Sequence, residues 1–247
     1  MYDVTTFPLR DLTACGAALR KMGGSAARIE DAAQAVVQHV YDQLRDGRDH
    51  SRICVLTRFF VTREFGRLDA GQQESARQLL GESRAASNLR CLVLMGSAGE
   101  LPEWNDPNMS ASHRAIPLAS SAMVQRSPMI SQLVSQFGLE AQNLIAPDPR
   151  LLVDLEQKSY NVFHVPEARN SPYVPAQGDF VVAYGIRSVV GFGGLLPSGN
   201  LFAVILFTKV PIQREIADLF RPLALSVKLA ILPFDSGLDG ACPAASA

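Results

Sequence analysis

Chemistry in this chain would have to come from its four histidines, its four cysteines or a close pair of carboxylates. A catalytic triad needs a nucleophile, a base and an orienting acid that converge in space. His39, His50, His113 and His164 sit in no nucleophile or metal-ligand spacing, and no GxSxG, HExxH or HxE…PCxxC pattern occurs. Asp154 and Glu156 alternate along a predicted helix, so they do not face one another. Cys15, Cys54, Cys91 and Cys242 are far apart, with no CxxC and no zinc-type spacing. Cys54 and Cys91 fall inside apolar, strand-like runs, where a thiol behaves as a small hydrophobe. The expectation is a protein with no catalytic residue and no metal ligand.

Three features invite a sharper reading. Gly191-Phe192-Gly193-Gly194 follows a predicted strand, but a phosphate cradle needs a helix amino-terminus directly after the glycines. Here a second strand follows, so the glycines are expected to relieve crowding at a bulge or hairpin end. His164 closes a short predicted strand before a proline-rich loop. As a haem or metal ligand it would need an apolar cavity and a free ring nitrogen, and no second ligand stands at useful spacing. A hydrogen bond to a loop carbonyl is the expected role. His113, beside Arg114 in a polar turn, is expected to be exposed.

The elements that would position these residues can be read from hydrophobic periodicity. Ile29, Ala32, Ala33, Val36, Val37, Val40, Tyr41 and Leu44 follow one helical face over residues 25–44, after a shorter helix over 9–22. Residues 53–62 and 89–95 read as strands, the second ended by Gly96-Ser97-Ala98-Gly99. Asp69 is placed to cap a helix running to Leu80. A turn-rich stretch with Trp104 follows, and residues 115–118 form a short strand. Trp104, the only tryptophan, either closes over a pocket or anchors its own segment.

Interrupted helices fill residues 120–157, punctuated by Pro128 and Gly138, with one opening at Arg150. A short strand over 162–165, a loop over 166–178, and strands over 186–192 and 201–208 come next. The Pro197-Ser198-Gly199-Asn200 turn makes the last two a hairpin. A final helix over 212–232 is expected to kink or break at Pro222 and stop at Pro233. Adjacent strands with helices segregated before and after imply an α+β domain built on an antiparallel sheet with flanking helices.

Composition narrows the partners. With 23 Lys+Arg against 24 Asp+Glu, there is no charge excess to drive binding to nucleic acid or an anionic membrane. At 47% apolar, the chain has ordinary globular composition. The longest apolar runs, 202–207 and 223–232, fall short of the ~20 residues a bilayer crossing needs, and no stretch of signal-peptide character opens the sequence. A cytoplasmic protein with neither nucleic acid nor membrane as partner is expected.

Gly185-Ile186-Arg187-Ser188 at the start of a strand, the Ser198-Gly199-Asn200 turn and the following Leu201–Phe207 segment resemble the second half of a GAF-type sensory domain. PAS domains share its sheet logic. One departure is Phe202-Ala203, where the family strand carries a glycine. More diffusely, residues 7–19, 154–166 and the hairpin resemble amino-terminal sensory regions of bacterial histidine kinases and related signalling proteins. The resemblance implies one GAF-like domain spanning 1–247, with a helical extension over about 1–50, an insertion over about 102–150 and a flexible tail over about 235–247.

It further implies helices behind a six-stranded or similar antiparallel sheet, a small-molecule pocket on the other face, and terminal helices that dimerise and signal. On that template Tyr160, His164, Tyr173, Tyr184 and Arg187 are the candidate ligand contacts, suited to a small aromatic or anionic effector. The partners implied are that effector, a second copy through the terminal helices, and a kinase or other output module; no kinase, cyclase or DNA-binding pattern follows within these residues. No cofactor is required. The alternatives are a haem- or redox-responsive sensor using His164 or a thiol, a GAF-fold thiol reductase, and a structural dimerisation module. The extra apolar residues Leu225, Leu229 and Leu232 carry the homodimer expectation.

Overall fold

β-Branched and aromatic residues alternating across residues 54–64 form the longest strand, β3 (Cys54–Glu64), around which the rest is built. The computed structural model describes residues 1–82, 84–110, 113–147 and 161–235. Before β3 come the two-residue strand β1 (Tyr2–Asp3), α1 (Leu9–Lys21), α2 (Ile29–Gln43) and β2 (Leu44–Arg45), which pairs with β1. After it come α3 (Ala70–Leu80), β4 (Arg90–Gly99) and β5 (Ala115–Pro117). The short helices α4 (Ser121–Gln125), α5 (Pro128–Gln136) and α6 (Ala141–Ile145) follow. The chain closes with β6 (Asn161–Val165), β7 (Ser188–Leu195), β8 (Leu201–Thr208), α7 (Arg214–Asp218) and α8 (Arg221–Ile231).

The main sheet has six strands in the order β5-β4-β3-β8-β7-β6, and every neighbouring pair is antiparallel. The protein is thus an α+β fold with an antiparallel sheet and flanking helices. Side chains alternate between its two faces. Phe59, Val61, Val93, Met95, Phe192, Phe202 and Val204 face the layer that contains α1, α2 and α8. Leu56, Phe60, Leu94, Phe163, Ile205 and Phe207 face α4, α5, α6 and the long connections. Phe59, Phe192 and Phe202 are fully buried, each burial stabilising by about 1.5–3 kcal/mol.

On the first face α1 and α8 lie side by side in parallel. Phe7 sets its ring 5.1 Å from that of Phe220, and Gly16 meets Leu223 and Ser226 a turn further along. Asp69 caps α3 as expected, its carboxylate accepting from the Gln72 N–H at 2.8 Å. The last helix breaks rather than kinks. Pro222 begins α8, where its missing N–H costs nothing, and the turn between Asp218 and Arg221 separates it from α7. Among the described residues no helix is long and apolar enough to cross a membrane.

Of two glycine-rich stretches, one departs from expectation. Gly96-Ser97-Ala98-Gly99 is not a turn but the end of β4, paired with β3 as far as Leu56↔Gly99. Its small residues admit neighbours closely: a Cβ on Gly96 would lie 2.8 Å from the Ala33 backbone of α2. Gly191–Gly194 lies inside β7 without a bulge, running in unbroken register with β8 to one pair short of the hairpin's last pair, and there the glycines do relieve crowding. A Cβ on Gly193 would fall 2.0 Å from the Phe202 carbonyl oxygen.

Exposed strand edges must satisfy their backbone groups, and here side-chain amides do it. β5 covers β4 only over Cys91–Val93. Beyond it, the Ser97 N–H donates to Gln34 Oε1 at 3.0 Å and Gln34 Nε2 donates to the Ser97 carbonyl at 2.9 Å. Asn105 repeats the pairing on Gly99, at 3.0 and 3.1 Å. On the opposite edge Gln136 of α5 does the same to His164 of β6. The Arg150 helix, the start of the 154–166 segment and the tail beyond Asp235 lie outside the described residues.

Candidate ligand-binding site

Strand alternation places Leu56, Arg58 and Phe60 of β3 on the same face of the sheet. Arg58 sits in the middle, opposite Ser97 of β4 on one side and Ile205 of β8 on the other. It rises from the floor of a cavity of about 350 Å³. The walls are Trp104, Met109, Ser110 and His113 from the β4–β5 connection, Met129 from α5, and Pro175, Ala176 and Phe180. Glu103 and Asp106, both exposed, stand at its mouth.

The walls are held from the edge pairing inward. Asn105, pinned to Gly99 and to the Leu101 carbonyl, sets the turn that carries Trp104. Ser97 Oγ donates to the Trp104 carbonyl at 2.5 Å. A Cβ on Gly99 would sit 2.9 Å from Trp104, so glycine makes room for the indole. Edge contacts then link Trp104 to Tyr184 at 4.7 Å and to Phe180 at 5.6 Å, and Phe180 to Phe207 at 5.1 Å. Phe180 belongs to a π-helical turn, Gln177–Val182, entered through Ala176 in the left-handed region (φ 54°). Gln177 ties that turn down by donating to the carbonyls of Ala168, Ser171 and Val174.

Arg58 is the anomaly in this apolar setting. Its Nε is buried without a hydrogen-bond partner, and none of the ion pairs among the described residues includes it. Burial pushes its guanidinium down to about 10, so it remains charged at neutral pH. A partly desolvated guanidinium that makes no ion pair is costly unless something compensates it. His113 does not share the charge: burial, reinforced by the Arg58 charge, holds its imidazole at about 4. It is half-buried on the cavity wall rather than exposed as expected, because the β4–β5 connection folds over the sheet instead of away from it.

The residues singled out as ligand contacts are not brought together. Tyr160 lies outside the described residues. Tyr184 alone touches this site, through Trp104. Tyr173 is exposed, and Arg187 lines a shallow groove with Glu167, Arg169 and Asn170. His164 is turned to the opposite face, where its Nε2 meets the Ile212 carbonyl at 2.8 Å. The hydrogen bond to a loop carbonyl is thus present, but the ring does not line the cavity. β-Propensity alone does not single out Arg58; the signal for it in the sequence is a cation in phase with Leu56 and Phe60 on an otherwise apolar strand face.

The thiols lie elsewhere. Cys15, Cys54 and Cys91 are fully buried, and burial pushes each up to about 12. Cys242 is outside the described residues.

No protein-family model and no curated protein matches this chain. Among solved structures it is similar to the chromophore-binding domain of an unusual bacteriophytochrome, RpBphP3, from R. palustris, at 9% identity and a TM-score of 0.38. The similarity covers 96% of this chain and 64% of that chain, so the chain spans less than two thirds of its length. A likeness that distant carries no argument about ligand or activity.

Proposed function

We propose that this chain is a non-catalytic sensory domain that binds a small molecule in the cavity over Arg58 and reports occupancy through its helical face. The observation that carries the reading is the cavity itself: aromatic walls, a volume within the ~300–1,000 Å³ of ordinary ligand sites, and on its floor a half-buried arginine whose Nε has no hydrogen-bond partner. The resemblance to GAF-type sensors agrees with it, since such domains place helices behind the sheet and a pocket in front.

Coupling between the faces has a physical route. Ser97 lies on the cavity floor, its hydroxyl holds Trp104, and its backbone is held by Gln34 of α2 on the other side. A shift of the Trp104 wall therefore pulls on the strand end that α2 grips. Ligand moves this equilibrium only by binding one arrangement better than the other.

The alternatives draw less support. A haem sensor through His164 would have to break its bond to Ile212 and turn the ring across the sheet. A thiol reductase would need thiolates, whereas Cys15, Cys54 and Cys91 are sealed and their ionisation is disfavoured by burial.

The reading is tested by thermal melts of the purified chain against a broad metabolite panel. A ligand at a hundred times its Kd stabilises by about 2.7 kcal/mol, which raises Tm by roughly 5–10 °C in a chain of this size. The true ligand should also shift the emission of Trp104, the only tryptophan. A panel that moves neither observable overturns the reading.

A further inference from the structure

The lining of the cavity also speaks to the charge of what it takes; this inference rests on the cavity being the ligand site. A guanidinium is planar and offers paired donors that match a carboxylate in a bidentate geometry. Arg58 presents one whose Nε is buried without a hydrogen-bond partner, in the middle of an apolar floor of Leu56, Phe60, Ile205 and Phe207. Among the described residues no other Lys or Arg lines the cavity. Glu103 and Asp106 at its mouth repel anions, and most strongly those of multiple charge.

We propose that the cavity takes a small organic monocarboxylate, its carboxylate on the Arg58 guanidinium and its apolar body between Trp104, Phe180 and Phe207. Arg58 alone can neutralise a single carboxylate, whereas a phosphate dianion would keep one charge uncompensated and face the Glu103 and Asp106 carboxylates with it. The neutral imidazole of His113 brings no second charge to the wall. Trp104 and Phe180, both in the lining, favour a flat or ring-bearing body that can pack on aromatic rings. Arg58 thus sets affinity and selectivity for charge, and the aromatic wall sets shape.

The experiment titrates the full chain with phenylacetate, phenylacetamide and phenyl phosphate, reading Trp104 emission, and repeats each titration on Arg58→Met. Phenylacetate is expected to bind about ten- to hundredfold tighter than phenylacetamide, the range of a lost charge-assisted hydrogen bond. Arg58→Met should erase that preference while still binding the amide. Phenyl phosphate should bind more weakly than phenylacetate. Arg58→Lys keeps the charge without the paired donors and should retain only part of the preference, which leaves the test intact if Arg58→Met fails to fold.

Equal binding of acid and amide to the wild type overturns the carboxylate assignment and leaves the cavity reading standing. Tighter binding of phenyl phosphate overturns the monoanion. Failure of all three probes, with Trp104 emission unmoved, overturns the assignment; the cavity reading falls with it only if the metabolite panel also moves neither observable.

Discussion

The Arg58 charge bears on the titration of the histidine beside it. His113 is held at about 4 first by burial and then by the Arg58 charge, against an ordinary value near 6.5. The unfolded chain therefore takes up this proton at a higher pH than the folded one. Stability contributed by the neutral ring is present above pH ~6.5 and is lost as pH falls towards about 4, by up to ~3 kcal/mol. His164, also pushed down chiefly by burial, acts in the same direction. Asp46 belongs to a more acid window: the Arg48 side-chain hydrogen bond lowers its carboxyl from 3.8 to about 2, so its contribution is lost as pH falls from 3.8 towards about 2. Urea denaturation at a series of pH values between about 7 and about 4.5 should show midpoints falling with acid in the wild type. His113→Gln, which keeps a neutral polar group, should flatten the slope. Arg58→Met should reduce it, because the second cause of the His113 shift is gone. An unchanged slope in His113→Gln would remove His113 as the titrating group.

At the scale of elements, the edge of β4 concentrates what the fold asks of few residues. Gln34→Ala leaves the Ser97 N–H and carbonyl without their amide partner, a loss of about 1–3 kcal/mol. In a chain of this length that is a fall in Tm of roughly 2–12 °C. Because Ser97 also holds the Trp104 carbonyl, the variant should shift tryptophan emission as well; a melt that drops with emission unchanged would show that α2 and the cavity wall are uncoupled. The strands and helices themselves were largely legible. Period 3.6 marked α2, Asp69 marked α3, and Pro-Ser-Gly-Asn marked the β7–β8 hairpin. Failures came where small residues serve packing rather than turning. Gly96 to Gly99 read as a turn because nothing local shows that α2 and Trp104 press on that strand. The site was less legible for the same reason. Leu56-Arg58-Phe60 can be read from alternation, but the walls come from around Trp104 to His113 and from Pro175 to Phe180, far apart in the chain. Their convergence depends on amide clasps such as Asn105 on Gly99 and Gln177 on three carbonyls.

For the molecule as a whole, the helical layer has two sides with different work. Leu223, Val227 and Ile231 of α8 face the core, while Leu225 and Leu229 on its outer side remain 50% and 46% exposed. Pro222, Leu225, Leu229 and Leu232 repeat at intervals of three, four and three, the a/d spacing of a two-helix seam. A second copy presents the same stripe, so two-fold pairing through α8 would cover both at once. The seam spans only about three turns of helix, and stable interfaces bury ~1,200–2,000 Å². The dimer expected from it is therefore weak and dependent on concentration, whereas a purely structural dimerisation module would stay dimeric on dilution. Sedimentation velocity across a dilution series should show the wild type moving from dimer to monomer. Leu225→Glu with Leu229→Glu should stay monomeric throughout, since opposed carboxylates on a two-fold seam repel. Both positions point away from the core, so this variant should keep its Tm at low concentration and its Trp104 response to phenylacetate. A wild type monomeric at every concentration would mean that α8 carries no self-association. The occupancy signal would then have to leave through α2, the helix that Gln34 ties to the cavity floor.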